Sequence, residues 1–104
     1  MSSANNGHTE FKIVLMGTVK SDLKRFHQEL MHQGKGHAFL DALRKVNDRL
    51  TKDPRGFGET LYRLPALKLM VHQGIVIPLV VTFGIHQELP IVFVHVVKLL
   101  SIPD

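Results

Sequence analysis

The last third of the sequence consists of apolar, β-branched blocks separated by short polar groups, and this pattern leaves few folds open to the chain. We predict three strands, covering Leu64 to Val71, Ile75 to Ile85 and Leu89 to Leu100. The separating groups, His72-Gln73-Gly74 and His86-Gln87-Glu88, have the length of hairpin turns, so the three strands are expected to form an antiparallel sheet. The two later blocks are nearly continuous apolar runs, which is typical of strands covered on both faces by helices or by a partner.

The segment before this sheet predicts one strand and two helices. Phe11 to Met16 is a short apolar block with the two-residue period of a strand. Apolar residues then recur at helical spacing in two segments joined at Gly34 and Gly36, which predicts two antiparallel helices with one apolar seam. The seam comprises Leu23, Phe26, Leu30 and Met31 in the first helix and Phe39, Leu43, Val46 and Leu50 in the second. The predicted fold class is α+β: an N-terminal strand, a helical hairpin ending at Asp53-Pro54, and then an antiparallel sheet of three further strands.

Length and composition fit one domain with one core. The chain has 104 residues, of which 44% are hydrophobic and 21% are charged. Residues 1–9 are rich in Ser, Asn and Gly, so we expect a flexible N-terminus followed by a single domain over residues 10–104. The absence of cysteine excludes disulfides and thiol catalysis and favours a cytoplasmic location. We expect no secretory signal, because Met1 to Glu10 is polar, and no membrane span, because polar residues interrupt the apolar blocks.

The basic residues are concentrated in the first two thirds of the chain. Lys and Arg number 13 against 9 Asp and Glu, and all the basic residues except Lys98 lie at or before Lys68. Such a surface permits contact with nucleic acid or with an acidic protein. The candidate nucleic-acid-binding residues are Arg44, Arg49, Lys52, Arg55 and Arg63, with Lys45 and Lys68 nearby. A solvated helix face explains the same residues equally well.

The seven histidines are candidates for metal binding and for proton transfer. The cluster His27, His32 and His37 lacks the H-E-x-x-H spacing, so we predict neither a metal site nor a cofactor. His72, His86 and His95 lie in or beside the predicted sheet, where an imidazole can transfer protons at neutral pH. His72 lies at the expected strand end near Lys68, and we select these two as the candidate catalytic residues.

The order of these elements resembles the RelE/ParE toxin superfamily. The resemblance is carried by LRKVNDRLTKDPRGFGETLYRLPALKLMVHQG, followed by IVIPLVVTFGI and IVFVHVVKLL, and it covers roughly Phe11 to Leu100. Its firmest points are Asp53-Pro54, Leu61, Leu64 and Gly74. The resemblance implies the toxin half of a toxin-antitoxin pair: some members cleave messenger RNA on the ribosome, others inhibit DNA gyrase, and an antitoxin segment wraps the sheet and helices.

The residues expected for the ribonuclease branch are mostly replaced. Lys68 falls where one basic residue is expected, but the position of an arginine after Gly74 holds Ile75-Val76, and no tyrosine follows Leu100. Without these cations the developing charge on a phosphate would be poorly stabilised. The resemblance therefore favours a toxin that binds a macromolecule, such as gyrase, and is neutralised by a cognate antitoxin. The alternatives are an endoribonuclease that uses Lys68, His72 and the basic residues, and a non-toxic structural or regulatory homodimer.

Overall fold

A computed structural model describes residues 9–100 and shows two helices and five strands there. In chain order these are β1 (Lys12–Leu15), α1 (Val19–His32), α2 (Gly36–Lys52), β2 (Glu59–Leu64), β3 (Leu69–Val76), β4 (Leu79–His86) and β5 (Ile91–Leu99). Single 3₁₀ turns lie at Pro54–Gly56 and Pro65–Leu67. The predicted α+β class is confirmed.

The five strands form one mixed sheet in the order β1-β5-β4-β3-β2. Strand β1 pairs in parallel with β5, with Lys12 opposite Ile91, while the other neighbouring pairs are antiparallel. The two helices connect β1 to β2, which lies at the opposite edge of the sheet. Strands β2 to β5 then run back across the sheet, so the last strand lies beside the first. Parallel neighbours need such a long connection between them.

Two details of the predicted sheet are wrong. Four strands follow the helices rather than three, because β2 forms a separate edge strand whose residues are almost all exposed and which therefore lacks a buried apolar face. The second error is the turn at His72-Gln73-Gly74, since these residues lie inside β3 and the chain reverses at Ile77-Pro78. Proline has no N–H for the strand ladder, which makes this position the better turn. The turn after His86 is confirmed.

The helices cover one face of the sheet and create the main core. Helix α2 contributes Phe39, Ala42, Val46 and Leu50 to this core, and α1 contributes Val19, Phe26 and Leu30. The sheet supplies Leu79, Val81, Phe83, Ile85, Val92, Val94 and Val97 from β4 and β5. These positions alternate along β4, as expected for a strand with one face on the core.

Most of the predicted flexible segment, residues 1–8, lies outside the described residues, as do residues 101–104. Within residues 9–100, no helix is both long and apolar enough to cross a membrane.

Candidate functional site

The segment after α2 fixes a buried phenylalanine above the sheet. The Asp53 carboxylate accepts a hydrogen bond from the Gly56 backbone N at 3.2 Å, which closes the turn that follows the helix. Arg49 Nη2 donates to the Gly56 carbonyl at 2.6 Å, and its guanidinium lies 5.2 Å from the centre of the Phe57 ring. On the sheet side, Phe57 stacks on Phe83 at 5.6 Å between ring centres. These contacts hold the ring in one place.

His72 lies beside this phenylalanine, in the middle of β3 rather than at a strand end. The ring is 5% exposed, and its Nδ1–H donates to the Phe57 carbonyl at 3.4 Å. Nε2 forms a hydrogen bond with the Thr60 hydroxyl at 3.2 Å. Since a carbonyl can only accept, Nδ1 carries a proton in this pairing, and in the neutral ring Nε2 is then the acceptor. Both ring nitrogens of His72 are therefore used within the protein.

A pocket of about 450 Å³ opens beside His72 at one end of the sheet. It is lined by Arg55, Thr60, Met70, His72, Ile85, His86 and Gln87. No Asp or Glu lies among these lining residues, so the charged group of the pocket is a cation. We call this the histidine pocket.

Lys68 is not brought together with His72. Its Nζ donates to the two carboxylate oxygens of Glu88 at 3.0 and 3.1 Å, and both side chains are more than half exposed. Lys68 also has a φ of 54°, in the left-handed region that ends the preceding turn. The ammonium group thus bridges two turns at the surface and does not line the histidine pocket.

The five candidate nucleic-acid-binding residues are divided among different surroundings. Arg55 lines the histidine pocket, whereas Arg63 lies opposite Met70 in the β2–β3 pair and is not among the lining residues. Arg49 is engaged with Gly56 and Phe57, as described above. Lys52 lies 3.9 Å from Asp48 at the C-terminal end of α2, and Arg44 lies 3.2 Å from Asp41 in the middle of this helix. Since α2 rises about 1.5 Å per residue, Arg44 and Lys52 are about 12 Å apart along its axis.

An apolar groove opens between the two helices and the β1 edge of the sheet. It has a volume of about 600 Å³. Its lining is apolar except for Arg44 and Asn47, and comprises Ile13, Leu15, Val19, Leu23, Leu40, Leu43, Val46, Leu50, Leu79, Val81, Val94 and Val97. Leu15 and Leu40 are 43% and 40% exposed, so the rim presents apolar side chains to solvent. We call this the helix groove.

Sequence reasoning missed the helix groove and did not select His86. The groove could have been inferred from the apolar stripe of α2, which is wider than its buried face requires. Leu40 and Leu43 extend this stripe beyond the buried residues of the helix. His86 had no such signal, because its role depends on a turn conformation. Its Nδ1 accepts hydrogen bonds from the backbone N of Glu88 at 3.1 Å and of Leu89 at 3.0 Å.

Within residues 9–100 there is no group of three or more His, Asp or Glu side chains that could hold a metal ion. His27, one of the three helical histidines, instead stacks on Phe39 at 5.3 Å between ring centres.

Comparisons with protein-family models, with curated proteins and with solved structures gave no match. The proposed function therefore rests on the geometry of the helix groove and the histidine pocket.

Proposed function

We propose that this chain is a RelE/ParE-like toxin component that acts in the cytoplasm by binding a macromolecule, for example DNA gyrase, and is neutralised by an antitoxin. The order of its elements, with two helices between a first strand and the sheet that it rejoins, supports this assignment. The observation that carries the proposal is the helix groove, whose apolar lining and exposed apolar rim suit the burial of another polypeptide.

The groove is suited to an amphipathic segment. Helix-in-groove recognition uses an apolar face that enters a hydrophobic channel, with anchors at helical spacing. Leu15 and Leu40 stand at the rim, and Leu23 and Leu43 lie between them and the core. Burying a leucine-sized side chain contributes about 1.5–3 kcal/mol, so two or three anchors supply enough free energy to offset much of the cost of association.

The charge of the chain favours an acidic partner. The formal net charge is +4, and Arg44 lies within the lining of the groove. The ion pair of Arg44 with Asp41 is exposed, so it can be exchanged for a carboxylate of a partner at little cost. We therefore expect an antitoxin segment with an apolar face flanked by Asp or Glu.

Neutralisation by the product of an adjacent small gene tests this proposal. Induction of the chain alone is expected to arrest growth, and co-expression of the antitoxin is expected to restore it. Leu40→Arg should remain toxic and resist neutralisation, because it places a charge at the rim of the groove. The matched control is Leu67→Arg, which changes a leucine that is 62% exposed and lies outside the groove. Equal neutralisation of the two variants would contradict the role of the groove.

An endoribonuclease is the second candidate, because one pocket holds His72, Arg55 and His86 together. In this reading His72 is the acid or base and Arg55 stabilises charge on the phosphate, whereas Lys68 lies outside the pocket. His72→Ala and Arg55→Ala must then abolish RNA cleavage, with Lys98→Ala as a control on the distant part of β5. Unchanged cleavage in the first two variants would contradict this assignment.

A further inference from the structure

His86 presents one fixed hydrogen-bond donor. Its Nδ1 accepts from two backbone N–H groups of the turn that follows β4, at 3.1 and 3.0 Å. Because Nδ1 is an acceptor, the neutral ring carries its proton on Nε2. Within residues 9–100 no hydrogen-bond partner is found for Nε2, and the ring lines the histidine pocket. The turn therefore fixes both the tautomer and the position of this donor.

Arg55 supplies a positive charge to the same pocket. Its guanidinium lies 5.2 Å from the centre of the Phe11 ring, which orients the planar group without using its N–H donors. None of the ion pairs within residues 9–100 involves Arg55. The neighbouring carboxylate, that of Glu88, is bound by Lys68 and does not line the pocket.

The remaining lining residues add a donor and an apolar wall. Gln87 contributes an exposed side-chain amide, and Met70 and Ile85 provide apolar surface. The pocket volume, about 450 Å³, lies within the range of about 300–1,000 Å³ that is typical of small-ligand sites. The pocket offers the Arg55 guanidinium and the fixed Nε2–H donor of His86, and no carboxylate lines it. This combination suits an oxyanion such as a phosphate. The remaining volume suits a sugar attached to the phosphate.

We propose that the histidine pocket binds the phosphate group of a nucleotide, with His86 Nε2–H and the Arg55 guanidinium as donors and with the sugar against Met70 and Ile85. This role is independent of the helix groove and does not require His72 to transfer a proton. The phosphate can belong to a free mononucleotide or to a nucleic-acid strand, since both present the same oxygens.

Two substitutions at His86 separate the donor from the turn. In His86→Asn the side-chain oxygen can accept the two backbone hydrogen bonds in place of Nδ1, but the Nε2–H donor is lost. In His86→Gln the amide N–H can stand in for Nε2–H, whereas the acceptor of the turn is lost. Arg55→Gln removes the charge from an exposed side chain. His37→Asn, on the exposed start of α2, is the matched control.

The test is a titration of the full chain with inorganic phosphate, adenosine monophosphate and a short single-stranded RNA, followed by NMR of the histidine ring nitrogens. We expect shifts at His86, with binding weakened about tenfold in His86→Asn and in Arg55→Gln and unchanged in His37→Asn. Equal affinity for the mononucleotide and the RNA would identify a free nucleotide as the ligand. Tighter binding of the RNA, weakened by the same variants and by salt, would identify a strand. An affinity that is unchanged in both His86→Asn and Arg55→Gln would overturn the proposal. Failure of the chain to bind any of the three probes would overturn it as well.

Discussion

Substituting Gly74 by alanine tests how the segment after α2 is locked onto the sheet. A Cβ atom at this position would lie 2.5 Å from Cζ of Phe57 and 2.6 Å from its Cε2. The ring cannot move away easily, because Phe83 stacks on it and the Arg49 guanidinium covers it. The backbone of Gly74 is not in the left-handed region, so the effect of alanine comes from this contact alone.

The expected magnitude follows from two opposing effects. Overpacking in a well-filled core costs about 1–3 kcal/mol. Alanine in place of glycine gains about 0.4–1 kcal/mol by restricting the unfolded chain. We therefore expect Gly74→Ala to lower the free energy of unfolding by about 1–2 kcal/mol, which corresponds to a fall in Tm of about 4–16 °C for a domain of this size.

Urea unfolding of Gly74→Ala and of Gly36→Ala gives the comparison. A Cβ at Gly36 would lie 2.9 Å from Cγ of Met31, whose side chain is 59% exposed, and 3.7 Å from the Met31 Cα, which is an ordinary contact distance. Because the exposed side chain can move aside, this control should be neutral or slightly stabilising. The double variant Gly74→Ala with Phe57→Leu should recover part of the loss, with a coupling of about 1 kcal/mol. Equal stability of the two glycine variants, or strict additivity in the double variant, would refute the reasoning.

Three further substitutions are expected to change stability in the same assay. Asp53→Ala removes the carboxylate that accepts a backbone hydrogen bond in the turn after α2, and should cost about 1 kcal/mol; no change would contradict this capping role. Thr60→Val removes the hydrogen-bond partner of His72 Nε2 and should cost about 1–3 kcal/mol, so a neutral result would contradict a structural role of this contact. Glu88→Gln breaks an exposed ion pair with Lys68 and should cost less than about 1 kcal/mol; a larger loss would show that this contact is not screened by solvent.

The sequence indicated the elements with a strong hydrophobic period and missed those without one. Helices α1 and α2 and the apolar strands were predicted because their buried positions repeat at fixed spacing. Strand β2 was missed because an edge strand with few buried side chains has no such repeat. Gly74 was interpreted as a turn residue, although glycine inside a strand also marks the close approach of another group, which here is Phe57.

The candidate sites depended more strongly on tertiary structure. His72 and Arg55 were selected from their residue types, and the fold places them in one pocket. The engagement of both His72 nitrogens and the fixed donor of His86 could not be predicted, because each depends on atoms from a neighbouring strand or turn. Lys68 was expected near His72 because the two residues are close in sequence. In the structure Lys68 has a left-handed backbone conformation, and its ammonium group donates to Glu88.

Induced expression of the chain alone, with growth and messenger RNA integrity followed in the same culture, tests the central proposal most directly. A toxin that acts by binding a macromolecule predicts growth arrest while messenger RNA stays intact. Arrest with cleaved messenger RNA would favour the ribonuclease candidate instead. Unimpaired growth in cells that accumulate the folded protein would contradict a toxin function.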